Sequence, residues 1–118
     1  MSARTIQVDD RLHEWLLAHS LRDTDVHQEL RDHALGLEDG GMQTSPEQAQ
    51  FLSFLARSIR ATRAIEIGVY TGASAMAIAS ALPHEGRLVA CDISDEHLQT
   101  AITAWTAAGV HTRIESRI

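Results

Sequence analysis

Ala64-Ile-Glu-Ile-Gly68-Val-Tyr-Thr-Gly72-Ala-Ser74 is the stretch that decides the fold of this chain. An apolar run rich in β-branched residues ends in Glu66-x-Gly68-x-x-x-Gly72 and passes straight into the helix-forming run Ala75-Met-Ala-Ile-Ala-Ser-Ala-Leu82. A second apolar run, Leu88-Val-Ala-Cys-Asp92, then ends in an acid. Strand, glycine turn, helix, strand and acid make a nucleoside-binding αβ unit. The glycine loop lets a ligand approach the backbone at a helix start, and the acid can accept hydrogen bonds from ribose hydroxyls.

Glycine spacing distinguishes the nucleosides. A dinucleotide fingerprint reads Gly-x-Gly-x-x-Gly, in which the second glycine admits a pyrophosphate. Here the residue two after Gly68 is Tyr70, which disfavours a nicotinamide cofactor. Glu66-x-Gly68-x-x-x-Gly72 instead resembles the first motif of S-adenosylmethionine-dependent methyltransferases. Met42-Gln-Thr44-Ser45-Pro-Glu47-Gln-Ala-Gln-Phe51-Leu, Glu66-Ile-Gly-Val-Tyr-Thr-Gly72-Ala-Ser74 and Val89-Ala-Cys-Asp92-Ile follow in that order. Together they resemble the cation-dependent O-methyltransferases of the caffeoyl-CoA and catechol type, densely from Met42 to Ile118 and weakly before it.

The resemblance implies an α/β, Rossmann-like class I methyltransferase fold, a parallel-rich sheet flanked by helices. Only its front half is expected here, since Thr112–Ile118 reads as the third strand. The sequence is therefore expected to be a truncated or partial one, unable to sustain methyl transfer by itself. The expected organisation is an N-terminal helical segment, 1–41, for capping or oligomerisation, followed by the front of the cofactor-binding domain, 42–118. Implied partners are a small phenolic or catechol-like acceptor and a second copy of the chain in a homodimer. The implied cofactors are S-adenosylmethionine and a divalent cation, magnesium by family habit, held by residues beyond Ile118. No catalytic or metal-binding residue is expected among those present.

Composition agrees with a globular protein: 44% of residues are hydrophobic, 22% charged, and the net charge is −6. Nothing in that charge invites nucleic acid, and no apolar run of membrane-spanning length or signal-like start appears. The single cysteine, Cys91, excludes an internal disulfide, fits a cytoplasmic protein, and reads as a small buried hydrophobe in a strand.

Along the chain, Leu12, Trp15, Leu16 and His19 share one stripe of a helix over Arg11–Leu21. Asp23 or Thr24 can cap a second, through Val26, Leu30, Ala34 and Leu37, and Glu38-Asp-Gly-Gly41 reads as a loop. Ser45-Pro46 starts a third helix whose Phe51, Leu52, Leu55 and Ile59 are expected to face a sheet. Arg57, Arg60 and Arg63 collect at its carboxyl end, most simply as a solvated terminus. Ser94-Asp-Glu96 should open the last helix, through Leu98, Ala101, Ile102 and Trp105, and Gly109 should close it.

Each implied cofactor residue has a plainer alternative. Asp92 binds ribose or caps the following helix, and Ile93 beside it offers an apolar edge to adenine. Glu66 contacts the cofactor, holds loop N–H groups, or both. Gly68 and Gly72 admit the methionine part or simply make the turn, with Val69 flanking the approach. Tyr70 touches the ligand or packs under the loop, and Ser74 can donate to the ligand carboxylate. Met42 and Thr44 cover the cofactor or form a loop tip. The seven histidines show no metal spacing: His13 and His19, like His27 and His33, lie six apart, off the helical repeat that shares a face. A non-catalytic cofactor-binding or oligomerisation half-domain is the alternative function.

Overall fold

The β-branched run before the glycines folds as β1 (Arg63–Ile67), and the run ending at the acid folds as β2 (Arg87–Cys91). A computed structural model describes residues 6–118 of the chain. β1 pairs in parallel with β2, setting Ala64 against Leu88 and Glu66 against Ala90, and β2 pairs in parallel with β3 (Ile114–Arg117). The strand order is β1-β2-β3. α4 (Ala73–Ala81) makes the first crossover and α5 (Leu98–Ala107) the second.

Strand pleating assigns the two faces. Leu88, Ala90 and Ile114 are buried in one core with Met76 and Ala79 of α4 and Ala101 and Trp105 of α5. Ile65 and Ile67, on the opposite face of β1, stay exposed. α5 begins at Leu98, later than its acidic run suggested. Ser94 Oγ accepts from the Glu96 amide (3.1 Å) and forms a turn ahead of the helix instead of its cap. Gly109, at φ +71°, follows α5 in the left-handed conformation expected of a helix stop.

α3 (Pro46–Ser58) is capped by Ser45, whose side chain accepts from the Gln48 amide at 3.4 Å. Its packing corrects the expected one. α3 lies on α4, not on the sheet, and it buries Ala49 and Ala56, while Phe51, Phe54, Leu55 and Ile59 remain exposed. Small side chains let the two helix backbones come close; the large ones point the other way.

α2 (Asp25–Leu35) is capped by Thr24 in a capping box: the Thr24 amide donates to His27 Nδ1 at 3.4 Å, and the two side chains lie 2.8 Å apart. Asp23, the other candidate cap, instead accepts from Arg31 at 2.6 Å. Leu30 of α2 belongs to the same core as Met76 and Trp105, so this leading helix is packed into the αβ unit. α1 (Asp10–Ser20), capped by Asp9, buries none of its residues. Gln50 of α3 ties down its end, donating to the Ser20 carbonyl (2.7 Å) and accepting from the Arg22 amide (2.8 Å). Trp15 stays exposed and stacks on His19 with ring centroids 4.5 Å apart. Among the described residues no helix is long and apolar enough to cross a membrane.

Candidate functional site

The carboxyl ends of β1 and β2 open into a cleft of about 640 Å³. Met42, Gly68, Tyr70, Asp92 and Ile93 line it, joined by Asp39, Glu96 and His97. A smaller cavity of about 40 Å³ lies alongside, walled by Met42, Thr44, Gly68, Val69, Tyr70 and Ser74. Residues scattered from Met42 to Ile93 thus converge on one end of the sheet, where parallel αβ folds place ligands. Cys91, read as buried, is instead half-buried on the open face and borders the cleft.

Asp92 organises the loop. One carboxylate oxygen accepts from the amides of Val69 (2.7 Å) and Tyr70 (3.1 Å), the other from Ile93 (2.7 Å) and Ser94 (3.4 Å). Four N–H groups fill the acceptor capacity of a carboxylate. In this state Asp92 ties the glycine loop to the end of β2, and ribose hydroxyls would have to share its oxygens. The Val69 and Tyr70 amides, ahead of the opposing effect of burial, hold its carboxyl below the usual range.

Glu66 is the counterpart inside β1. Burial first, opposed by the hydrogen bond from Ser74, with the charge of Asp92 adding to the burial effect, pushes its carboxyl above the ordinary value. The Ser74 hydroxyl donates to Oε1, whereas Oε2 is buried with no partner. Ser74, expected to donate to a ligand, is spent here on Glu66. An orphaned buried carboxylate oxygen is costly, and a donor or cation supplied by a ligand would relieve it.

The two carboxylates therefore respond oppositely to pH. Asp92, depressed on folding, adds stability that is present above its unfolded value and lost as pH falls through its folded one. Glu66, raised on folding, costs stability as pH rises through the window between its unfolded and folded values. Glu66→Gln should accordingly become more stable relative to the unmodified chain as pH rises above the ordinary carboxyl value. Urea midpoints at several pH values measure this, and a constant difference would show that Glu66 is not the group that titrates.

The glycines divide their work. Gly68 has φ +87°, and a Cβ there would meet nothing within 4 Å, so its open side belongs to the cleft. Gly72 has φ +86° and makes the turn into α4, but it faces α5: a Cβ would lie 2.7 Å from both Ala101 Cβ and Trp105 Nε1. Trp105 Nε1 also donates to the Gly72 carbonyl at 2.9 Å. The structure thus brings Gly72 to the core and leaves Gly68 at the cleft. Val69 packs its side chain into that core and offers the site only its backbone.

Tyr70 occupies both of its candidate roles' territory: its ring lines the cleft, and its backbone sits at φ +51° in the loop. Sequence reasoning passed over two neighbours. The Tyr70 hydroxyl donates to Asp39 Oδ1 at 2.8 Å, and His97 Nε2 lies 3.2 Å from Asp39 Oδ2. Asp39 stands in an acidic, glycine-rich stretch that reads as a loop, and His97 carries no spacing signal. Among the described residues no three His, Cys, Asp or Glu side chains converge to hold a metal ion.

With the site in place, comparison with known proteins is decisive. The O-methyltransferase family model matches residues 17–118. The chain belongs to the O-methyltransferase family. The match reaches back into α1, further upstream than the motifs from Met42 onward. A probable caffeoyl-CoA O-methyltransferase 2 of Dictyostelium discoideum is 36% identical over 114 residues, covering 96% of this chain and 49% of that protein. The catechol O-methyltransferase domain-containing protein 1 of Mus musculus is 37% identical over 110 residues, 93% of this chain and 42% of that one. Among solved structures, the O-methyltransferase TomG of Streptomyces achromogenes, in complex with SAM, superposes with a TM-score of 0.80 at 26% identity, covering 90% of this chain and 48% of that one. An O-methyltransferase of Bacillus cereus in complex with SAH reaches 0.82 at 23% identity, covering 91% of this chain and 49% of that one, and shares the fold. This O-methyltransferase chain spans about half the length of the relatives it matches.

Proposed function

We propose that this chain binds S-adenosylmethionine and forms the cofactor half of an O-methyltransferase. The methyl acceptor would be a hydroxyl of a small phenolic or catechol-like molecule, as the names of the relatives suggest. The observation that carries the reading is the sign of the cleft. Asp39, Asp92 and Glu96 line it, and among the described residues the only basic side chain in the lining is that of His97. A cationic sulfonium and ammonium suit such a site, whereas a pyrophosphate would be repelled. Tyr70, in place of a second glycine, works in the same direction.

S-adenosylmethionine supplies an activated methyl group on a sulfonium that leaves as a neutral thioether. The chain's own residues bind and orient it. In this reading Glu66 Oε2 gains its missing partner from the ligand, and Gly68 leaves the backbone open to it. Asp92 shares its oxygens with ribose, while Ile93, fully exposed at present, gives adenine an apolar edge. Thr44 and Ser74 border the small cavity beside the cleft and would meet the methionine end, Met42 helps cover it against water, and Val69, Tyr70 and Gly72 hold the loop in shape. The described residues hold no convergent donor set for the divalent cation that the resemblance implies, and they do not fit it. Binding, orientation and exclusion of water are the steps assigned to this chain. The proposed setting is a cytoplasmic homodimer, to which the exposed Leu12 and Trp15 of α1 would contribute.

Adenosylhomocysteine should raise the thermal midpoint of the chain in a saturable way, and NAD should not. Saturable stabilisation by NAD without any by adenosylhomocysteine would overturn the assignment.

A further inference from the structure

Tyr70 is tethered at both ends by carboxylates. Its amide donates to Asp92 Oδ2 at 3.1 Å, and its hydroxyl donates to Asp39 Oδ1 at 2.8 Å. The residue holds a left-handed backbone, φ +51°, that side chains other than glycine rarely adopt, so the surroundings must fix it there. Asp39 uses its second oxygen on His97 Nε2, 3.2 Å away, and the His97 ring meets the Tyr70 ring edge-on, centroids 4.7 Å apart and planes at 72°. Three segments remote in sequence meet in this cluster: the turn after α2, the glycine loop and the loop from β2 to α5. All three side chains line the large cleft.

We propose that Asp39 is a positioning residue of the cofactor cleft, its carboxylate clasping the Tyr70 hydroxyl and the His97 imidazole so that the two loops close around the ligand in one fixed arrangement. The proposal rests on the adenosylmethionine reading for the identity of that ligand. The clasp itself stands on geometry alone. Without Asp39 the Tyr70 ring keeps its backbone anchor and its edge contact with His97, but His97 loses the same acceptor, and the wall the two rings form is free to turn out of the cleft. Asp39 touches no reacting atom in this scheme; it acts through Tyr70 and His97.

Tyr70 is the only tyrosine of the chain, which makes it its own reporter. Burial, then the hydrogen bond to Asp39, pushes its phenol up to about 12. At about pH 10.5 an ordinary phenol is mostly ionised. There the unmodified chain should absorb as the neutral phenol, and Asp39→Ala should show several-fold more phenolate, with circular dichroism confirming that both remain folded. By calorimetry near neutral pH, Asp39→Ala should bind adenosylhomocysteine about tenfold more weakly, the effect of losing one hydrogen bond to a charged group. Asp39→Asn keeps an oxygen for the Tyr70 hydroxyl and should retain most of the affinity. Tyr70→Phe should match Asp39→Ala, and the double variant should be no weaker than either. An unchanged phenolate fraction in Asp39→Ala would overturn the clasp, and a changed fraction with unchanged affinity would overturn the positioning role. If the unmodified chain binds no adenosylhomocysteine, the cofactor reading falls and takes the positioning role with it, while the phenolate measurement still decides the clasp.

Discussion

Gly72→Ala should cost this chain about 3 kcal/mol or more of folding stability. Two penalties coincide at the position. An L-residue at φ +86° takes on the strain of the left-handed region, about 1–2 kcal/mol. The added Cβ would also sit 2.7 Å from Ala101 Cβ and from Trp105 Nε1, far inside contact distance. Trp105 is fully buried and its indole donates to the carbonyl of Gly72 itself, so it cannot move aside without breaking that bond. Overpacking of this kind costs typically about 1–3 kcal/mol, a large share of the total stability of a small domain. Gly41→Ala is the control, with nothing within 4 Å of the new Cβ and no positive φ, and it should be nearly neutral. Urea unfolding followed by tryptophan fluorescence, in which buried Trp105 changes surroundings and exposed Trp15 changes little, measures both. A Gly72→Ala midpoint equal to that of Gly41→Ala would mean that α4 and α5 are not packed as described.

Why the glycine loop was legible in the sequence and α3 was not follows from the same physics. The turn from β1 to α4 leaves a chemical mark, because a left-handed backbone and a close helix both demand glycine at position 72. The apolar runs of β1 and β2 and the caps at Ser45 and Thr24 are equally local signals. The facing of α3 is not local. Phe51, Leu55 and Ile59 form the obvious apolar stripe, yet the helix packs through Ala49 and Ala56, since the choice of face depends on the shape of α4. Helical periodicity shows that a face will be buried; it does not show against what.

The cleft divides similarly. Met42, Gly68, Tyr70, Asp92 and Ile93 were found because a family string marks them, and the fold brings them to one cleft. Asp39 and His97 carry no spacing signal: they are separated by 58 positions and meet only when three segments fold together. Gly72 and Ser74 sat in the right motif, but the structure engages them with Trp105 and Glu66. A motif locates a neighbourhood, and the partner of each side chain within it is a tertiary fact.

Asp92→Ala should weaken adenosylhomocysteine binding by about 1.5–3 kcal/mol, roughly ten- to more than a hundredfold, through lost hydrogen bonds to a charged group. Two contributions act together. The direct one is the proposed loss of ribose contacts at the end of β2. The indirect one is visible in the fold: the amides of Val69 and Tyr70 lose their common acceptor, and the loop that shapes the cleft is released. Asp92→Asn separates them. Its amide oxygen can still receive the loop amides, while the charge that strengthens each bond is gone. An intermediate loss in Asp92→Asn would therefore assign part of the effect to charge and the rest to loop order. Calorimetry on folded variants gives the affinities, and urea midpoints show how far the loop's release also lowers stability. Affinity unchanged in Asp92→Ala would remove the ribose role, because neither the direct nor the indirect contribution could then reach the ligand.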